Sequence, residues 1–326
     1  DEVRRLGIGV IGWREVPHDP GQLGPHALAA LPGIEQLLVR RPTEQPVPNF
    51  ERQLYLARRR AERTFREQEI DCYVVSMSSR TVVYKGLMVA PRIVAFFPDL
   101  ADERMVSRTA LFHQRYATNT LPEWNIVQPF RYIAHNGEIN TLIGNRNWMT
   151  AREADLESAV WGDDVSALSP VISPIGSDTA SLDEALELLV QSGRDLLHAM
   201  RMLVPEAWEN MPNIHPHLRS FYEYHATLME PWDGPAAVAF SNGTTTAAVM
   251  DRNGLRPARY QVTSDGLVIM GSEVGLVDIP FDKIVESGRL GPGEMIAVDS
   301  ARRLFLHPED IARELVVRRP YGDWVE

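Results

Sequence analysis

The last third of the chain is a series of short apolar runs separated by turn signals, and this pattern constrains the fold most. Asn242-Gly243 and Asp265-Gly266 each lie between two such runs. Both dipeptides favour the tight turns that join neighbouring antiparallel strands. The strands predicted by this alternation span residues 236–240, 244–250, 259–263, 267–270 and 294–298.

Helical periodicity is confined to earlier parts of the chain. Apolar residues at helical spacing run from Phe50 to Phe65, directly after Pro48-Asn49. A second amphipathic run begins at the sequence Ser181-Leu182-Asp183-Glu184, which has the pattern of a capping box. Because helices and hairpins occupy different parts of the chain, the sequence favours an α+β fold over a parallel βαβ sheet.

Three further runs rich in β-forming residues predict strands, at residues 6–13, 72–76 and 80–84. The second of them contains the only cysteine, Cys72, which we expect to be a buried structural thiol. A single cysteine excludes an internal disulfide or a thiolate metal cluster. No repeat or linker divides the chain, so we predict one domain over residues 1–326.

The charge balance and hydropathy exclude several function classes. The net charge of −11 argues against a nucleic-acid surface, which needs clustered basic residues. No apolar run approaches the roughly 18 residues of a membrane span, so we expect no membrane partner and a cytoplasmic location. His215 and His217 lack a third ligand at suitable spacing, so no metal site is predicted.

Polar groups concentrate in three segments, at residues 113–120, 134–141 and 174–179. Each has a simple structural alternative. Arg115 suits a surface ion pair, Asn136-Gly137 suits a hairpin turn, and Asp178 suits the first turn of a helix, where the dipole favours an acid.

Together these residues match the groups of free glutamine. The planar fork of Arg115 suits a carboxylate, and Asp178 suits an ammonium group. The side-chain amide of Asn136 and the backbone N–H of Gly137 are suitable donors to the oxyanion formed when a carboxamide is attacked. These residues supply no nucleophile of their own.

The motifs resemble the glutaminase domain of the glutamate synthase large subunit, a class II glutamine amidotransferase of the N-terminal-nucleophile (Ntn) type. The segments that carry the resemblance are residues 76–86, 113–120, 135–141, 176–178, 251–260, 271–275 and 291–295. Chance is a poor explanation for several long segments that match in order.

The resemblance implies a set of residue roles and a fold. Asn136 and Gly137 would form the oxyanion hole, Arg115 and Asp178 would clamp glutamine, and Thr118 and Asn119 would line its pocket. Related amidotransferases usually carry histidine where this chain has Asn119. The implied fold is a four-layer αββα sandwich of two antiparallel sheets, which is Ntn-hydrolase-like.

In the family the nucleophile is an N-terminal cysteine whose own α-amine acts as the base, whereas residue 1 here is aspartate. We therefore expect the front strands of the sandwich to be missing from this chain and the chain alone to be inactive. We also expect an exposed sheet edge beside Asn136 and Arg115, since lost strands leave backbone groups unpaired.

The function implied is hydrolysis of L-glutamine to L-glutamate and ammonia. By resemblance, a synthase domain of the same polypeptide would use the ammonia to aminate 2-oxoglutarate, with FMN, an iron–sulphur cluster and a reductase subunit. None of these cofactors is expected in this segment. The alternatives are a catalytically silent binding or regulatory module and an amidotransferase domain serving another acceptor.

Overall fold

A computed structural model describes residues 1–116 and 121–326. Its contacts divide these residues into two compact units, the first comprising residues 1–131 and 156–171 and the second residues 132–155 and 172–326. The α-helices are α1 (Glu2–Arg5), α2 (Pro25–Ala29), α3 (Val47–Glu67), α4 (Ile93–Phe96), α5 (Leu142–Glu153), α6 (Asp178–Gln191), α7 (Leu196–Leu203), α8 (Pro216–Ala226), α9 (Pro308–Val316) and α10 (Tyr321–Val325). The strands are β1 (Gly9–Glu15), β2 (Glu35–Arg40), β3 (Ile133–Gly137), β4 (Ala236–Ser241), β5 (Thr245–Met250), β6 (Arg259–Thr263), β7 (Val268–Gly271), β8 (Ile284–Arg289), β9 (Met295–Asp299) and β10 (Leu304–Leu306).

The first unit is built on helix α3 and the antiparallel pair β1–β2. One face of α3 packs with α1 in an apolar cluster that contains Ile8, Phe50 and Leu54. The predicted opening strand and the predicted helix after Pro48-Asn49 are therefore both confirmed.

The strands predicted at residues 72–76 and 80–84 are wrong, because these runs form no strand among the residues that the structure describes. Side chains bind several of their backbone groups instead. The Val83 N–H donates to Ser76 Oγ at 3.3 Å, and the Ser79 N–H just before the second run donates to Glu51 at 2.8 Å. High β propensity describes a side chain that fits a sheet, and it yields a strand only where a partner strand is present.

The second unit contains two antiparallel sheets. One has five strands in the order β10-β9-β5-β4-β3, and the other has three in the order β7-β6-β8. The hairpins predicted at Asn242-Gly243 and Asp265-Gly266 join β4 to β5 and β6 to β7, as expected. All five strands predicted in this part of the chain are present.

The two sheets pack face to face. Ala248, Met250 and Ile296 on one face of the five-stranded sheet form a buried cluster with Ala258 and Leu290, which adjoin the three-stranded sheet. Helix α6 lies on the opposite face, where Thr179 Oγ1 lies 2.9 Å from Nδ1 of His135, and its Asp183 accepts hydrogen bonds from the Tyr132 and Ile133 N–H groups at the edge of β3. The second unit is therefore layered as helix, sheet and sheet, and the predicted α+β class with antiparallel sheets is confirmed.

Helix α6 begins earlier than the predicted capping box. Ser177 is its N-cap, with its Oγ accepting from Ala180 N at 3.1 Å, and Ser181 and Glu184 lie inside the helix. The predicted capping box is therefore wrong, since Glu184 instead accepts from the Ser173 N–H at 2.8 Å. The apolar stripe was predicted correctly, because Leu182 and Leu186 are fully buried.

Candidate functional site

The end of strand β3 approaches the start of β4 so closely that only glycine fits. Gly137 has a φ of +133°, and a Cβ added there would lie 1.8 Å from the carbonyl oxygen of Pro235. Gly234 faces it from the segment that leads into β4, where a Cβ would lie 2.0 Å from Glu138 O. Asn136 and Gly137 thus lie within a strand, and the hairpin-turn alternative for this dipeptide is wrong.

The hydrogen bonds of the β3–β4 ladder determine where the Gly137 N–H points. Ser241 N donates to Tyr132 O at 2.8 Å, and Glu138 N donates to Pro235 O at 3.3 Å. In an antiparallel pair only every second residue exchanges hydrogen bonds with its partner. The even-numbered residues of β3 therefore face β4, and the Gly137 N–H points to the other side. Among the described strands β3 is an edge strand, so this donor is not paired with another described strand.

The side-chain amide of Asn136 is oriented by Arg256. Arg256 Nη2 lies 2.7 Å from Asn136 Oδ1. A guanidinium has only donors, so the amide oxygen must face it and the amide nitrogen must face away. Within the described part of the chain, the Nδ2 group of Asn136 has no partner, and both of its N–H donors remain available.

A braced loop positions Arg256. Asp251 accepts from the Ala236 N–H at 3.1 Å, and Arg252 Nε donates to Asp233 at 2.9 Å. Gly254 has a φ of +64°, and a Cβ there would lie 2.5 Å from Pro292. Residues 251–260 carry part of the family resemblance, but no local signal distinguishes Arg256, because its partner lies 120 positions away.

The carboxylate of Asp178 lies beside the chain that leaves β3. One oxygen accepts from the Ile139 N–H at 3.0 Å, and the other accepts from the Thr179 N–H at 2.7 Å. Asp178 is also the first residue of α6, so its role as a helix-start acid is present as well. The oxygen bound to Thr179 also accepts from Thr179 Oγ1 at 3.2 Å, so the oxygen bound to Ile139 is the one with a further lone pair for a cationic ligand.

Arg146 of helix α5 holds the turn that carries Asp178. Its Nη2 donates to the Gly176 carbonyl at 2.7 Å, and its Nε donates to Ser181 Oγ at 3.0 Å. The buried His135 adds a second link between β3 and α6, because its Nδ1 lies 2.9 Å from Thr179 Oγ1. The structure thus brings Asn136, Gly137 and Asp178 together through elements of one unit. The role of Arg146 was not predicted from the sequence.

Arg115 belongs to the first compact unit. Its side chain is exposed and has no ion-pair partner in the ranges 1–116 and 121–326, so the surface ion-pair alternative finds no support there. Tyr116 anchors the neighbouring backbone, because its Oη donates to the Met88 carbonyl at 2.9 Å. Thr118 and Asn119 lie outside the described residues.

Cys72 is exposed, so the prediction of a buried thiol is wrong. It follows the end of α3 and lies in a run that forms no strand. Partial desolvation and the negative charges of Asp71 and Glu62 raise the pKa of the thiol. A thiol is a good nucleophile as thiolate, so this environment disfavours reactivity.

Among the described residues, no group of three or more histidine, cysteine, aspartate or glutamate side chains is arranged to hold a metal ion. His215 is the N-cap residue of α8 and His217 lies in its first turn, as expected for helix-start residues. In the same ranges, no helix is both long and apolar enough to cross a bilayer.

Comparison with known proteins identifies the family. The model of the class-II glutamine amidotransferases matches residues 1–324. A ferredoxin-dependent glutamate synthase 2 from Synechocystis is 46% identical over 100% of this chain and 21% of its own length. The glutamate synthase [NADPH] large chain of Bacillus subtilis is 41% identical over 99% of this chain and 21% of its own. The chain thus spans about one fifth of the length of these relatives.

A solved structure of glutamine phosphoribosylpyrophosphate amidotransferase from B. subtilis overlaps 58% of this chain and 32% of its own, with a TM-score of 0.31 and 19% identity. That likeness is too weak to support an argument about the fold. The family match, which covers nearly the whole chain, is sufficient without it. The chain belongs to the class-II glutamine amidotransferases.

Proposed function

We propose that this chain binds L-glutamine and supports its hydrolysis to L-glutamate and ammonia, as the amidotransferase part of a glutamate synthase. The observation that carries the proposal is the grouping at the end of β3. Asn136 and Gly137 are the last two residues of this strand, with an oriented side-chain amide and an outward N–H group. The carboxylate of Asp178 binds the N–H of Ile139, two residues further along the chain.

Asn136 and Gly137 are the proposed oxyanion hole. Attack on the glutamine carboxamide turns its carbonyl oxygen into an oxyanion, and the Asn136 Nδ2 and Gly137 N–H groups would donate to it. Preorganised donors of this kind each contribute about 10²–10³ in rate. Arg256 contributes by holding the amide in the donating orientation before substrate arrives.

Arg115 and Asp178 are the proposed clamp for the amino-acid end of glutamine. The Arg115 guanidinium would bind the α-carboxylate through two parallel hydrogen bonds, and Asp178 would pair with the α-ammonium group. Thr118 and Asn119 are proposed to line the pocket. Support for Arg115 comes from its exposed guanidinium, which has no partner in the described ranges.

The nucleophile is proposed to be an N-terminal cysteine thiol, by analogy with the family, with its own α-amine as base. It would form a thioester with release of ammonia, and water would then hydrolyse the thioester to glutamate. A polypeptide made only of residues 1–326 would begin with Asp1, and its one cysteine has a raised pKa. Such a polypeptide should release no ammonia from glutamine.

The wider setting is also a proposal, based on the names of the relatives. The ammonia would pass to a synthase domain of the same polypeptide that aminates 2-oxoglutarate. FMN, an iron–sulphur cluster and a reductase subunit or ferredoxin would serve that domain, and no cofactor is proposed for residues 1–326. A cytoplasmic location is proposed as well.

Steady-state kinetics of glutamine hydrolysis by the full-length protein test the proposal. Asn136→Ala should lower kcat about 10²–10³-fold with little change in KM, because the oxyanion exists only in the transition state. Arg115→Lys should mainly raise KM, since a lysine cannot reproduce bidentate carboxylate binding.

Two substitutions of exposed residues nearby in sequence are matched controls. Asn147→Ala on α5 and Arg108→Lys remove the same kinds of group from side chains without partners in the described ranges. Both controls should keep the kinetics of the unmodified protein. A wild-type kcat in Asn136→Ala would exclude Asn136 from the oxyanion hole. An unchanged KM in Arg115→Lys would exclude Arg115 from the clamp.

A further inference from the structure

A polar cavity lies in the second unit, between the turn that joins α6 to α7 and the C-terminal helix α10. Its volume is about 470 Å³, and none of Arg115, Asn136, Gly137 and Asp178 lines it. The residues that line it and matter for its chemistry are Arg194, Asp195, His198, Arg318, Arg319 and Tyr321.

The cavity has an excess of positive charge. Arg318 forms an ion pair with Asp195, with 3.2 Å between nitrogen and oxygen. The guanidinium groups of Arg194 and Arg319 have no carboxylate partner in the part of the chain that the structure describes. Like charges on neighbouring arginines repel, so an anion between them would be stabilised by both.

Two buried histidines complete the wall. His225 Nδ1 lies 2.6 Å from the Phe221 carbonyl oxygen, so this nitrogen carries the hydrogen. The Nε2 of neutral His225 is then an acceptor, and His198 Nε2, 2.7 Å away, must donate to it. His198 is left with one acceptor nitrogen, Nδ1. Burial lowers the pKa of His198 to about 3 and that of His225 to about 4, so the pair is neutral at pH 7.

We propose that this cavity binds the phosphate group of a small metabolite, through the guanidinium groups of Arg194 and Arg319. A phosphate dianion has three strong acceptor oxygens, and each guanidinium can donate two parallel hydrogen bonds to such a group. The volume exceeds that of inorganic phosphate, so the cavity has room for a phosphate monoester. The site is separate from the proposed glutamine site and does not depend on it.

Isothermal titration calorimetry on the full-length protein tests this assignment. Inorganic phosphate and glycerol 3-phosphate are the two phosphate probes, and succinate at equal ionic strength is the dicarboxylate comparison. Both phosphate probes should bind, and succinate should bind at least tenfold more weakly. A tighter Kd for glycerol 3-phosphate would assign the site to a monoester, and a tighter Kd for phosphate would assign it to the free ion. Absence of binding by both, or equal binding of succinate, would overturn the proposal.

Arginine variants locate the binding. Arg194→Gln and Arg319→Gln should each raise the phosphate Kd about tenfold or more, as expected for a lost hydrogen bond to a charged group. Arg66→Gln is the matched control, at an exposed arginine near the end of α3 that has no partner among the described residues, and it should keep the original Kd. Unchanged affinity in both cavity variants would exclude this cavity as the site.

Discussion

The substitution Gly137→Ala tests the close approach of β3 to β4. A Cβ at this position would lie 1.8 Å from the Pro235 oxygen, whereas side-chain Cβ atoms essentially never come within 3.0 Å of another atom. The strand end would therefore have to move by more than 1 Å. That movement would displace the Gly137 N–H and strain the adjoining hydrogen bond from Glu138 N to Pro235 O, which is already 3.3 Å long.

Two losses should follow. A shift of about 1 Å in a catalytic group is enough to reduce the rate about 100-fold, so kcat for glutamine hydrolysis should fall by at least that factor. The φ of +133° is also unfavourable for alanine, and strain of this kind costs about 1–3 kcal/mol. The free energy of unfolding should decrease by a similar amount.

Gly144→Ala is the matched control, seven residues further along. Gly144 lies in helix α5, and a Cβ there would meet nothing within 4 Å. Alanine is favoured over glycine in a helix by up to about 1 kcal/mol, so this variant should be unchanged or more stable. Urea unfolding and an ammonia-release assay measure both variants. Wild-type kcat and stability in Gly137→Ala would refute the argument that only glycine fits here.

Three further predictions concern the rest of the chain. Arg256→Met should lower kcat while leaving the glutamine KM nearly unchanged, because it frees the Asn136 amide to rotate; a change confined to KM would contradict this positioning role. Cys72→Ser should leave the ammonia-release rate of the full-length protein unchanged, and a loss of activity would show that this thiol takes part. The free energy of unfolding should decrease on acidification from about pH 6.5 towards pH 4. The pKa values of His198 and His225 are about 3 and about 4 in the fold, but near 6.5 in the unfolded chain. The unfolded state therefore binds more protons in this pH range. Urea unfolding at pH 7 and pH 5 should show a smaller loss for His198→Asn than for the unmodified protein, and an equal loss would contradict the assignment.

Local sequence signals predicted the hairpins of the second unit well. The turn chemistry of Asn242-Gly243 and Asp265-Gly266 acts over a few residues, so it can be recognised without knowledge of the rest of the fold. Strands β2 and β8 were missed because their alternation includes charged residues such as Glu35, Arg40 and Glu286. The exposed side of an edge strand carries such residues, which weakens its apolar pattern.

The sequence suggested which residues carry the chemistry of the candidate site, but it could not predict the side chains that orient them. Asn136, Gly137 and Asp178 could be proposed because their groups match those of glutamine. Arg256 and Arg146 could not, because an arginine that orients another side chain has no local signature. Their partners lie far along the chain, at Asn136 for the first and at Gly176 for the second, and only the folded structure brings them together.

The most direct test of the proposed glutamine clamp compares glutamine with 4-carbamoylbutanoate, which lacks only the α-ammonium group. If Asp178 pairs with the ammonium group, which only glutamine carries, the full-length protein should hydrolyse glutamine with a kcat/KM at least tenfold higher. In Asp178→Asn this preference should largely disappear, mainly through a lower kcat/KM for glutamine. An Asp178→Asn variant that keeps the full preference for glutamine would contradict the assignment of Asp178 to the clamp.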